Sequence, residues 1–347
     1  MKARIVSTAV LTLLASGTAW VASSGDPVRL SGAGATFPAP VYSKWFEEYH
    51  KLHPDVEIAY EAVGSGGGIR KLLDASVDFA GSDGPMTDEQ LAEAKGKIVH
   101  LPTVIGAVVV ISNVNGITGA LRFTPEALAR IYLGKISRWN DPQIAAENPG
   151  VLTLPSEDII VVHRSEGSGT TYIWTDYLSH VSDDWKQKVG RGLSISWPVG
   201  LAAKGNEGVA KLVKETPGSI GYIELAYATE NGLEHNAIKN RSGQYVKATL
   251  ASLTAAAAST NELPEDFRMS IVNAAGNEAY PISSFTWLLV PSPIADDSKR
   301  RALTDVLRWA ISDGQNLASR LSFAPLPKPV VDRESQAIAR LAAETHQ

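Results

Sequence analysis

Three times in this sequence a short β-like run passes into an amphipathic helix through a glycine turn that also carries Ser or Thr. That recurrence constrains the fold more than any other feature. The first turn is Ser31-Gly32-Ala33-Gly34-Ala35-Thr36-Phe37-Pro38, ahead of helical spacing at Val41, Trp45 and Tyr49. The second is Gly64-Ser65-Gly66-Gly67-Gly68, ahead of a helix expected to begin near Ile69. The third is Gly167-Ser168-Gly169-Thr170, ahead of a helix over Thr171–Leu178. Strands are expected at Val28–Ser31, Val56–Ala62, Asp78–Ser82, Val104–Ser112, Ile159–His163 and Ser219–Ile223, which makes the chain α/β. In an open α/β sheet such turns gather at the carboxyl ends of the strands, where ligands bind. Each opens a helix N-terminus, whose free N–H groups and partial positive charge favour an anion. One such turn is ordinary turn chemistry. Three of a kind point to an anion site, and Gly81-Ser82-Asp83-Gly84-Pro85 adds a carboxylate at the end of a fourth strand.

A chain of 347 residues, 44% hydrophobic and 20% charged, has material for about two domains. It contains no cysteine, which removes disulfide frameworks, Cys-based metal sites and lipidation at an N-terminal Cys. Lys2 and Arg4, the apolar run Ile5–Leu14 and the small residues up to Ser24 read as an export signal, residues 1–24. The apolar run is too short for a membrane span. Cleavage near Ser24 removes two cations and leaves 30 basic against 37 acidic residues, a formal charge of −7. The expected product is soluble and periplasmic, with no broad cationic surface for nucleic acid.

Other local signals are structural. Thr87 with Gln90 forms a capping box, and Thr124-Pro125 a cap followed by proline in the first turn. The Ala/Ser-rich stretch Ala248–Thr260 reads as a surface helix or loop. Enzyme motifs are incomplete. Gly200–Gly205 has P-loop glycine spacing, but Asn206 stands where Lys is required. Ser65, Ser82 and Ser168 lack the G-x-S-x-G frame of a nucleophile elbow. His163 could serve Ser168 as a base, although a strand-end histidine is more often structural. His50 and His53 read as surface helix residues. No metal site and no cofactor are expected.

At the four glycine segments the sequence resembles the periplasmic phosphate-binding proteins of bacterial phosphate ABC importers. The likeness runs from about Ser31 to about Val331. Gly32–Tyr42 and Gly167–Thr170 carry it, together with Ile131–Ile136 before Trp139, Trp197–Gly200 and Pro217–Tyr222. The resemblance implies a two-lobed fold of the type II, Venus-flytrap kind, with two crossing hinge strands at Val104–Ser112 and Ser283–Val290. One lobe would comprise residues 25–104 plus 283–347, and residues 105–282 would form an inserted second lobe. It implies a monomer that captures inorganic phosphate and hands it to membrane permease subunits driven by a cytoplasmic ATPase. The rival expectations are a secreted phosphatase and a carrier of another tetrahedral oxyanion.

Carried over position by position, the family's ligand contacts fall on Thr36, Phe37, Ser65, Asp83, Arg164, Ser168, Gly169 and Thr170. Asp83 is the unusual member, because a carboxylate ordinarily repels an anion. Phosphate near neutral pH keeps a proton that sulfate lacks, so an ionised Asp83 can accept its O–H. The family usually has Asp two residues after the arginine. Here that position is Glu166, which either keeps the bridge with a different fork or swings out to solvent. Gly84 stands where many relatives have Ala, a smaller change.

Overall fold

In the computed structural model, which describes residues 26–151, 153–259 and 263–344, the apolar runs become eleven strands among the described residues. They are β1 (Val28–Gly34), β2 (Val56–Ala62), β3 (Phe79–Ser82), β4 (Lys97–Asn113), β5 (Arg122–Phe123) and β6 (Ile160–Arg164). The rest are β7 (Leu201–Ala203), β8 (Ser219–Glu224), β9 (Ala237–Lys239), β10 (Tyr245–Val246) and β11 (Ser283–Ser292). Eight of them form one sheet in the order β2-β1-β3-β11-β4-β8-β6-β7, and β10, β9 and β5 form a small second sheet. The export signal expected at residues 1–24 lies outside the described residues.

The sheet has two parallel wings and an antiparallel centre. β1 runs parallel to β2 and β3, and β6 runs parallel to β7 and β8. Parallel neighbours require long crossovers, and helices supply them, giving two α/β domains that share one sheet. β4 joins the wings. Its first part pairs with β11 and its last residues, Val108–Asn113, pair with β8.

β4 is longer than the expected Val104–Ser112 run, beginning at Lys97 and passing through Pro102. A proline cannot donate to a ladder and is tolerated at a bulge. The register slips here, with Thr286 opposite Val104 but Trp287 opposite Pro102, so Thr103 is the extra residue. Its hydroxyl lies within hydrogen-bond reach of the Thr286 carbonyl, at 3.2 Å.

Each wing has its own aromatic core. Tyr42, Trp45, Phe46 and Phe79 are buried beside β1–β3, with Tyr60 edge-on to Tyr42. Tyr132, Trp174 and Tyr222 are buried beside β8, where Trp174 stacks on Tyr222 at 5.2 Å. The Trp139 indole donates to the Gly218 carbonyl, which ties two of the glycine- and tryptophan-rich segments together.

Helix starts follow the capping signals with two corrections. Thr87 and Gln90 make both bonds of the capping box, and Thr124 caps the helix that begins at Pro125. The second glycine turn is not a loop before Ile69, since the helix runs Ser65–Leu73 and takes in Gly66, Gly67 and Gly68. Only Gly64 lies outside it, at φ 89°, a left-handed conformation open to glycine. The third helix likewise runs Gly169–Val181, from Ser168 as its cap. Within the Ala248–Thr260 stretch, Leu250–Ala258 is a helix whose Leu253, Ala256 and Ala257 are buried. Leu253, Ala256 and Ala257, at i, i+3 and i+4, share one face, so this helix lies against the core as well as at the surface.

Candidate functional site

Three helices, Ala39–Leu52, Ser65–Leu73 and Gly169–Val181, begin at the cleft between the wings. The first two have no side-chain cap, so their first-turn amides turn to other acceptors. The wings touch across this cleft, where the Gly66 amide donates to the Gly167 carbonyl at 2.9 Å.

Thr36 and Phe37 occupy the turn between β1 and the first of these helices. The Phe37 ring is fully buried against Phe323 and against Gly106 of β4, so only its backbone is at the cleft. Ser65, also fully buried, accepts from the Asp83 amide at 3.2 Å.

Asp83 follows β3 and is 1% exposed. One carboxyl oxygen, Oδ1, accepts from the Thr286 hydroxyl at 2.7 Å. The other, Oδ2, is buried with no hydrogen-bond partner among the described residues and lies against Gly169. Burial pushes this carboxyl up to about 7, against the opposing pull of the Thr286 hydroxyl, the Arg164 charge and Ser65.

Arg164 ends β6 with its side chain 1% exposed. Its Nη1 donates to the Thr170 hydroxyl at 3.1 Å. Its Nε and Nη2 both donate to Oε1 of Glu166, the former at 2.9 Å. Glu166 therefore keeps the bridge, with one oxygen collecting both donors, and that oxygen also accepts from the Gly205 amide at 3.1 Å. Burial raises the Glu166 carboxyl, but the bonds and charge of Arg164 outweigh it and hold the group below the usual range. Ser168 accepts from the Thr171 amide at 3.1 Å and thereby caps its own helix.

All nine residues singled out in the sequence thus stand at one cleft, five of them from the β6 side. Three partners were not singled out for this role. Thr286 holds Asp83, Asn206 reaches Thr36 and Thr170, and the Tyr227 hydroxyl donates to the Thr36 carbonyl at 2.7 Å. A threonine inside the apolar run of β11 was a usable signal for the first. Asn206 appeared in the sequence only as the wrong residue for a P-loop, and nothing local marks Tyr227.

His163 does not serve Ser168. Its Nδ1 faces the Arg164 carbonyl at 3.0 Å, its ring stacks on Trp197 at 4.7 Å, and burial lowers its pKa. Among the described residues no group of three His, Cys, Asp or Glu is arranged to hold a metal, and no helix is long and apolar enough to cross a membrane. The cleft thus offers hydroxyl and amide donors from both wings, one guanidinium already paired with a carboxylate, and one unpartnered acceptor. Such a set suits a small oxyanion that still carries a proton.

The PBP superfamily domain model matches residues 21–314. A phosphate-binding protein PstS from Xylella fastidiosa (strain Temecula1) is 44% identical over 306 residues, covering 88% of this chain and 83% of that protein. The PstS of Pasteurella multocida is 41% identical over 306 residues, with 88% of each chain covered. Among solved structures, a phosphate-binding protein from Stenotrophomonas maltophilia superposes with a TM-score of 0.68 at 20% identity, covering 89% of this chain and 93% of the other.

Proposed function

The chain belongs to the PBP superfamily and, within it, to the PstS phosphate-binding proteins, and from that membership we propose that it binds inorganic phosphate in the cleft between its domains. The observation that carries this reading is the buried, unpartnered Oδ2 of Asp83, an acceptor set among donors. Ionised, it accepts the phosphate O–H in a charge-assisted bond and opposes a sulfate oxygen with a second acceptor. Sites built to bond a ligand hydroxyl reject analogues lacking it by roughly 10⁴-fold or more. The donors are the Thr36 and Phe37 amides, the hydroxyls of Thr36, Ser65, Ser168 and Thr170, the Gly169 amide and Arg164. Glu166 fixes the guanidinium and shares it with the ligand.

Backbone donors and helix N-termini hold the anion without a cationic surface, which accords with a formal charge of −7 after signal removal. The protein acts as a monomeric periplasmic carrier and hands phosphate to the permease subunits and ATPase of an ABC importer. The reading is of a binder rather than an enzyme, and His163, held by the Arg164 carbonyl and stacked on Trp197, supports it. One lobe comprises residues 25–104 and 283–347. Residues 105–282 form the other, except that the contacts of Leu263 with Arg333, Phe267 with Trp287 and Arg268 with Met86 favour assigning 263–268 to the first.

Calorimetry tests the reading. Chain stripped of ligand by partial unfolding and refolding is titrated with phosphate and then sulfate near pH 8. Tight one-to-one phosphate binding with negligible sulfate heat is expected. Comparable sulfate binding would remove Asp83 as the selecting group, and binding of neither by a folded sample would overturn the reading.

A further inference from the structure

The glycine segment that ends at Asn206 has no part in ligand binding as described, yet it reaches across the cleft. Asn206 is fully buried in the first turn of the Gly205–Glu215 helix. Its Oδ1 accepts from the Glu224 amide at 3.0 Å, which fixes the orientation of the side-chain amide. Its Nδ2 then donates to the Thr36 hydroxyl oxygen at 2.8 Å and lies 3.3 Å from that of Thr170. The Thr170 hydroxyl is also 3.4 Å from Oδ1, at the limit of a bond.

Tyr227 forms the second arm, donating to the Thr36 carbonyl. It sits in the helix Leu225–Glu230, which the Glu224 carboxyl caps by accepting from the Ala226 amide at 2.6 Å. Fully buried Glu224 therefore supports both arms, one through its backbone and one through its side chain. Thr36 belongs to the β1 wing, while Asn206, Glu224 and Tyr227 belong to the β8 wing. These bonds span the cleft.

We infer that Asn206 and Tyr227 form a latch that grips Thr36 when the cleft shuts and slows release of the bound anion. The inference rests on the phosphate reading and names the residues that couple closure to binding. The chemistry at Thr36 makes that coupling direct. With Nδ2 of Asn206 filling an acceptor position, the Thr36 O–H proton is left to donate into the site. The Thr36 carbonyl and the Phe37 N–H belong to one peptide group. A donor on the carbonyl polarises that group and strengthens the Phe37 N–H, itself a ligand donor in the phosphate reading. Latch and ligand therefore reinforce each other, and loss of one weakens the other by the same factor.

Tyr227→Phe in the full chain removes one hydroxyl and keeps the ring. Stopped-flow phosphate release and uptake are measured alongside melting of the ligand-free protein. One lost hydrogen bond is worth roughly a 2- to 12-fold faster release. Uptake and ligand-free melting are expected to stay as in the wild type, because the bond forms only on closure. Asn206→Ala drops both donations and is expected to speed release further than Tyr227→Phe. An equal or smaller effect would overturn the Asn206 arm. Unchanged release from a Tyr227→Phe protein that still binds phosphate would overturn the latch, as would a ligand-free melting loss that accounts for the weaker binding. If the wild type takes up no phosphate, the phosphate reading falls and the latch with it.

Discussion

A carboxyl enclosed between two domains resists ionising, and Asp83 shows the consequence. Burial pushes it up to about 7 from an ordinary value of 3.8. Between those values the closed chain holds a proton that the unfolded chain has released, so the closed form loses stability as pH rises from about 4 to 7. Asp83→Asn removes that slope, and melting curves across the interval would reveal it. Selectivity runs the other way. A protonated Asp83 donates to phosphate and sulfate alike, whereas an ionised one accepts only from the anion that has a proton. The preference for phosphate over sulfate is therefore expected to sharpen by about tenfold or more between pH 6 and pH 8.5, and to be narrow and flat in Asp83→Asn. Thr286→Val removes a donor that favours the ionised form, so the sharpening should begin at higher pH. Sulfate competition at several pH values checks both variants, and a flat wild-type profile would deny Asp83 its role. The candidate ligand residues were legible because they lie in contiguous glycine-rich motifs. Thr286, Asn206 and Tyr227 were not, because each is one polar side chain whose meaning comes from a partner 170 or more positions away.

At the scale of elements, glycine does two separate jobs that look identical in the sequence. Gly64 is needed for its backbone angle, but Gly66, Gly67 and Gly68 are ordinary helical residues kept small for space. A Cβ on Gly68 would lie 2.5 Å from the Cα of Gly34 and 2.6 Å from the Ala33 carbonyl oxygen. The Ser65–Leu73 helix therefore rests directly on the β1 backbone. Gly68→Ala is expected to cost about 1–3 kcal/mol in urea unfolding and to weaken phosphate binding by withdrawing Ser65. A loss near zero would mean the helix can slide on the sheet without consequence. This double use is why the helix starts at Ser65 and not near the expected Ile69. Three glycines predict a loop from propensity alone, and only the close approach to β1 makes a helix the better state. Strand β4 likewise begins before the expected Val104, at Lys97, because the bulge at Thr103 accommodates Pro102 within the ladder. The alternation of strands and helices, by contrast, was legible from apolar periodicity, because each wing buries its own aromatic core.

For the whole molecule, the closeness of the two wings decides whether ligand donors from both can reach one anion. Gly169 sets that distance. It opens the Gly169–Val181 helix on one wing and packs against Asp83 and Ser65 on the other, and a Cβ there would lie 2.6 Å from the Asp83 Cβ. Its own backbone is helical, so alanine suits the wing that carries it and collides only with the wing it meets. Gly169→Ala is thus a wedge in the cleft with no cost to either domain alone. Closure by hinge motion requires that wedge to be accommodated by displacement of Asp83 or by incomplete shutting. The expected result is unchanged melting of the ligand-free protein, roughly 10- to 100-fold weaker phosphate binding, and small-angle scattering that stays more expanded in phosphate than the wild type. Tyr227→Phe should instead compact fully and merely reopen sooner, which separates the reach of the cleft from the strength of its latch. Full affinity and full compaction of Gly169→Ala would mean that the wings have slack at this contact. The site would then be assembled by the latch at Thr36 rather than by the fit of the two helix ends.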